Sequence, residues 1–265
     1  INAMKKIFIF FIILNFSFSF ERIFFQSANP FSLRDIIKSL PDQTPKRVFG
    51  TLRMPYLKNE STKVPLIIAV AGSRGWKEHH FEYLEMYQNM GIATFELNSF
   101  KSRNIASTVG SQTEVTTAMM ILDSYRALET LSNHPNIDID NVAITGWSLG
   151  GAVTLFSGWK PVMDAIDSEY SFAAHLALYP PCFVMPENLE FTKSPVHILI
   201  GEIDTWTPAQ ACEELMDEIN HFKYDFDLTI YPDSHHSFDV KDTTPQVVES
   251  GYSFYDCRLK MNDYG

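Results

Sequence analysis

Positive charge is scarce in this chain. Lys and Arg number 21 against 32 Asp and Glu, a net charge of −11 over 265 residues. No basic stripe appears, which excludes a nucleic-acid interface built on phosphate contacts. Cysteine is scarce too, with only Cys182, Cys212 and Cys257, and none stands at metal-ligand spacing. Internal repeats and low-complexity linkers are absent, so 21–265 reads as one domain. No apolar run reaches the ~20 residues a membrane span needs. The longest lies near the start: Met4-Lys5-Lys6, then an apolar stretch over 7–14, then small residues among phenylalanines to Phe20. A charged start, a short apolar centre and a small-residue exit predict an export signal over about 4–20. Ile1-Asn2-Ala3 ahead of it reads as a vector-derived remnant. The expected location is therefore periplasmic or secreted, where two of the cysteines can pair.

Apolar content is ample, at 45% of residues, enough for a large α/β core. Strand patterns occur at 47–54, 64–70, 92–97, 141–145, 172–179, 196–200 and 226–231. Helix patterns occur at 77–90, closed by Gly91, at 114–132, and at 208–221 with Pro208 in its first turn. Residues 99–110 read as a polar loop. Alternating strands and helices predict a mostly parallel sheet with helices on both faces. Active sites in such sheets gather at the carboxyl ends of the strands.

Gly146-Trp147-Ser148-Leu149-Gly150 sits where one of those strands meets a small-residue helix start at 151–156. A serine in a strand–turn–helix, with glycine two positions to each side, is a nucleophile elbow. The tight turn strains the serine and needs both glycines. It also places the hydroxyl at a helix N-terminus, which favours negative charge. A serine hydroxyl needs a base, and the base needs an orienting carboxylate. Asp204 and His236 each lie in a loop just past an apolar strand. The chain order Ser148, Asp204, His236 is that of the α/β-hydrolases. Cys182 and Cys212 are expected above the same edge of the sheet, which brings them within reach of each other.

The segments at 66–75, 144–151, 198–212 and 229–238 resemble the dienelactone hydrolase branch of the α/β-hydrolases. Gly201-Glu202-Ile203-Asp204-Thr205-Trp206-Thr207-Pro208 and His236-Ser237-Phe238 carry the resemblance. It implies an α/β-hydrolase fold over most of 45–240. It picks His236 over His235 as base, and Asp204 over Asp233 and Glu202 as its partner. It also supports a Cys182–Cys212 disulfide, as in exported members. The chain departs from dienelactone hydrolase proper in three ways. Its nucleophile position is serine, not cysteine. The loop at 71–75 reads Ala-Gly-Ser-Arg-Gly and lacks the family's glutamate. Residues 243–265 lack the periodicity of a closing amphipathic helix.

Acyl transfer needs two N–H donors facing the developing oxyanion. The expected donors are Leu149 and either Ser73 or Arg74. Trp147, Trp206 and Trp76 flank these loops as candidate pocket walls. His79 and His80 are expected to point apart and not to share a metal. The expected activity is hydrolysis of a small-molecule carboxylic ester through an acyl-enzyme, with no cofactor and no metal. Polyester hydrolase, peptidase, acyl transferase and a non-catalytic binding protein on the same fold are the alternatives.

Overall fold

The computed structural model describes residues 20–59, 61–248 and 251–265. The expected leader over 4–19 lies outside them; Phe20, the last residue assigned to it, opens the first strand. In chain order the elements are β1 (Phe20–Ala28), α1 (Leu33–Ser39), β2 (Pro45–Arg53), β3 (Val64–Val70), α2 (Glu78–Asn89), β4 (Ala93–Leu97) and α3 (Ser99–Ser102). There follow α4 (Thr117–Leu131), β5 (Ile137–Trp147), α5 (Leu149–Phe156), α6 (Lys160–Ile166), β6 (Ala174–Leu178) and β7 (Val184–Pro186). The chain closes with β8 (Val196–Gly201), α7 (Ala209–Ile219), β9 (Phe226–Tyr231) and β10 (Leu259–Met261).

Eight strands form one sheet in the order β1-β2-β4-β3-β5-β6-β8-β9. Only β2 runs against its neighbours; the pairs from β4 to β9 are parallel. The sheet is the mostly parallel α/β architecture expected. β4 is buried at every position and β3 at all but Pro65, as strands covered on both faces must be. Residues alternate across the sheet. Gly146 faces α5, and the next residue, Trp147, points to the opposite side and meets His80 of α2. The two helices therefore cover opposite faces of β5.

The elements the sequence pattern left unassigned are short or peripheral. β1 pairs along its whole length with β2. α1 starts where Asp35 accepts hydrogen bonds from the Phe31 and Ser32 N–H groups. α3 is a single turn inside the stretch expected to be loop. It presents Ser99 and Arg103 to Asp123 of α4. The Arg103 guanidinium forks onto both Asp123 oxygens at 2.7 and 3.1 Å, with side-chain exposures of 5% and 0%. It also donates to Ala28 O, tying β1 to the helix layer. Removing one partner of so buried a pair typically costs about 3–5 kcal/mol. After β9 no helix forms among the described residues; β10 pairs in parallel with β7. No helix among the described residues is long and apolar enough to cross a membrane.

Candidate active site

Ser148 stands between the last residue of β5 and the first of α5, with φ 55° and ψ −111°. A non-glycine residue held there is strained and persists only where its surroundings enforce it. The enforcement is visible. A Cβ on Gly146 would lie 2.2 Å from Gly150 O, and one on Gly150 would lie 2.1 Å from Val70 O. Only glycine lets α5 come so near β5 and β3. The Ser148 N–H donates to Leu178 O at 3.0 Å, anchoring the turn to the next strand.

His236 comes from the loop after β9. Its Nε2 lies 3.0 Å from Ser148 Oγ, and its Nδ1 lies 2.7 Å from Asp204 Oδ2. With the Nδ1 proton directed to the carboxylate, Nε2 is the nitrogen free to accept from the serine hydroxyl. Asp204 is 1% exposed, and its oxygens are fully used. Oδ1 accepts from the N–H groups of Trp206 and Thr207, and Oδ2 accepts from Thr207 Oγ1 at 2.7 Å. A buried carboxylate so surrounded cannot turn away from the imidazole. The histidine loop approaches through Gly201, where a Cβ would sit 2.3 Å from Ser234 O. Across the same gap the Asp233 N–H donates to Glu202 Oε2. Asp233 and Glu202 thus fasten two loops together. His235 is exposed.

The structure brings the loop at 71–75 against the elbow. A Cβ on Gly72 would lie 2.9 Å from Trp147 O and 3.5 Å from Ser148 Cβ. The next residue, Ser73, is held by its own carbonyl, which accepts from the Thr108 N–H and Ser107 Oγ, and by its hydroxyl, paired with Gln112. Leu149 begins α5, so its N–H lies in the unbonded first turn. The Arg74 side chain is exposed.

The three tryptophans part company. Trp206 sits beside the imidazole, ring centres 5.2 Å apart. Trp76 is half-buried, with its indole N–H on Leu97 O. Trp147 is 1% exposed and packs against His80, Tyr83 and Trp76. It is core beneath the elbow and not a pocket wall, because the residue before the serine points away from the open edge. His79 and His80 also differ from expectation, with ring centres only 3.9 Å apart. The reason is local: His80 Nδ1 swings back to accept the Lys77 N–H at the start of α2. Burial then pushes His80 down to about 3, so it stays neutral. No group of three or more His, Cys, Asp or Glu among the described residues could hold a metal ion.

Several residues of the site carry no motif in the sequence. Asp239 receives the Trp147 indole N–H on Oδ2 at 3.0 Å and the Tyr179 hydroxyl on Oδ1 at 2.9 Å. The Tyr179 ring lies edge-on to His236 at 4.6 Å. From the C-terminal segment, Gly251 packs on Trp206, the Phe254 N–H donates to Thr205 O, and the Tyr252 hydroxyl donates to Gly110 O. A disulfide joins Cys182 to Cys212, tying the turn after β6 to α7; Cys257 is free.

Residues 57–256 match the family model described as the dienelactone hydrolase family. A search of curated protein sequences gives no match. Among solved structures, the chain is similar to a protein described as a dienelactone hydrolase from Klebsiella pneumoniae. That pair has 17% identity and TM-score 0.57, covering 82% of this chain and 88% of that one. Esterase 2 of Thermogutta terrifontis matches at 16% identity and TM-score 0.57, covering 72% and 80%. P91, a dienelactone hydrolase-like promiscuous phosphotriesterase from metagenomic libraries, matches at 17% identity and TM-score 0.57, covering 82% and 84%. At such identities the likeness speaks to the fold.

Proposed function

This chain belongs to the dienelactone hydrolase family, and from that membership and the geometry at Ser148 we propose that it is a serine hydrolase of carboxylic esters. Ser148 Oγ attacks the ester carbonyl while His236 Nε2 takes the hydroxyl proton. Asp204 holds the imidazole in the tautomer that can accept and stabilises the imidazolium that forms. The tetrahedral oxyanion lies at the start of α5, facing the N–H groups of Leu149 and Ser73, where preorganised donors and the helix dipole favour it. His236 then returns the proton to the leaving alcohol. Water, activated by the same nitrogen, resolves the acyl-enzyme. The observation that carries this reading is the unbroken hydrogen-bonded line from Ser148 Oγ through both imidazole nitrogens to Asp204 Oδ2, at 3.0 and 2.7 Å.

Serine in the nucleophile position and the absence of the glutamate from 71–75 argue for simple esters over dienelactones. The esterase named among the structural neighbours points the same way. Export belongs to the same proposal: the charged and apolar pattern over 4–20 suits a leader, and a disulfide suits an oxidising compartment. The test is a panel of p-nitrophenyl esters from acetate to decanoate, with a peptide anilide and a polyester film beside it. Wild type is expected to turn over the short esters, with Ser148→Ala at least ~10³-fold slower. Ester turnover undiminished in Ser148→Ala overturns the reading, and preference for the anilide or the film reassigns the substrate.

A further inference from the structure

Asp239 is a carboxylate that the proposed reaction does not use. It lies three residues past the base, at the end of the loop that carries it. Both of its oxygens are engaged, and both donors lead back to the site. The indole N–H on Oδ2 belongs to Trp147, the residue immediately before the nucleophile. The hydroxyl on Oδ1 belongs to Tyr179, whose ring lies edge-on to His236 at 4.6 Å. Trp147 and Tyr179 are each 1% exposed, and the Tyr179 hydroxyl also meets Ser237 of the same histidine loop. We propose that Asp239 is a positioning residue, which clamps the histidine loop to the nucleophile elbow and so sets the distance between His236 Nε2 and Ser148 Oγ.

Backbone strain is gathered around this carboxylate. Positive φ is found at Ser148 (55°), Tyr179 (39°) and Ser237 (62°). These are the nucleophile, one donor to Asp239, and the residue after the base. Strain of this kind relaxes unless contacts hold it. The Asp239 bridge touches the elbow, the end of β6 and the histidine loop together. Its donors also remain donors: burial first, and then the Asp239 charge, push the Tyr179 hydroxyl well above its ordinary range. Asp204 orients the imidazole from one side, and Asp239 fixes where its loop sits relative to the serine.

This inference rests on the serine-hydrolase reading, and the experiment separates the two. Asp239→Ala, Asp239→Asn, Tyr179→Phe and the Asp239→Ala/Tyr179→Phe double variant are assayed with p-nitrophenyl acetate beside Ser148→Ala. Displacement of a reacting group by ~1 Å costs on the order of 10²-fold. Asp239→Ala is therefore expected to lose about 30- to 100-fold in kcat with KM within about threefold. Asp239→Asn keeps one acceptor oxygen for two donors and is expected to fall between. Tyr179→Phe should cost less in the Asp239→Ala background than in wild type, because only the bond of its hydroxyl with Ser237 is left to lose there. The Trp147 indole N–H resonance reports the bridge independently of turnover and should move upfield in Asp239→Ala. Folded Asp239→Ala and Asp239→Asn with kcat within twofold of wild type would overturn the proposal, as would an unmoved indole resonance. Turnover persisting in Ser148→Ala would instead sink the hydrolase reading and leave the bridge standing.

Discussion

Adding one methyl group to Gly150 should disable this site without dismantling the fold. A Cβ there would stand 2.1 Å from Val70 O, 2.8 Å from Val70 C and 2.9 Å from Ala71 O. All three are backbone atoms of the central strand β3 and its loop, so no side chain can swing aside. Moving the nearest from 2.1 Å to the 3.4 Å of ordinary contact takes a retreat of about 1.3 Å, by α5 away from the sheet. Ser148 immediately precedes the first residue of that helix and must move with it. A displacement on the order of 1 Å predicts a kcat loss of ~10²-fold. Overpacking of this kind costs about 1–3 kcal/mol. At ~2.1 cal/mol/K per residue that is a fall of roughly 2–5 °C in Tm for a chain of this size. Gly91→Ala is the matched control. It adds the same methyl at φ 85° with nothing within 4 Å, so it costs about 1–2 kcal/mol of left-handed backbone energy and touches no catalytic group. The assay pairs p-nitrophenyl acetate kinetics with thermal unfolding for both variants. Comparable losses of Tm with kcat lost only in Gly150→Ala are expected. Gly150→Ala within threefold of wild type, or Gly91→Ala equally inactive, would refute the reasoning.

Two further outcomes test other parts of the account. Burial pushes the His175 imidazole, 3% exposed, down to about 4, so between pH 6.5 and 4 the unfolded chain binds a proton there that the folded chain does not. Stability must fall as pH drops through that window, by about 1.4 kcal/mol per pH unit from this group. His175→Gln should reduce the slope of urea-derived stability between pH 6 and 5 by about 1 kcal/mol per unit, and an unchanged slope would show that His175 is not held neutral. Export is tested by fusing residues 4–30 to alkaline phosphatase, where extracytoplasmic activity is expected and a silent fusion contradicts it.

The central elements and the three groups that meet at the candidate site were legible because their signals are local. β3 spans the apolar run 64–70, where burial on both faces removes any alternation. The glycines of the elbow are visible because the backbone itself demands them. Asp204 and His236 stand out because each follows a strand in the order that the chemistry uses. What the pattern missed is held by contacts distant in sequence. Asp239 meets Trp147 across 92 residues and Tyr179 across 60, and nothing near position 239 announces either. Gly201 looks like a strand end until the histidine loop is seen against it. Helix α6 ends on Asp167 in the left-handed region, where the expected stop signal is glycine. Trp147 and the His79–His80 pair misled for one reason. Side-chain direction at an element's end is set by its neighbours there, the sheet face for Trp147 and the Lys77 N–H for His80.

The central claim is that the Ser148 hydroxyl is activated by His236 and attacks the substrate. Peptide mass spectrometry of the protein after reaction with a fluorophosphonate tests it most directly. One adduct per chain is expected, on Ser148, forming at least ~10³-fold more slowly in His236→Ala. Esterase activity with Ser148 unlabelled, or labelling of Ser148 at an undiminished rate without His236, would contradict it.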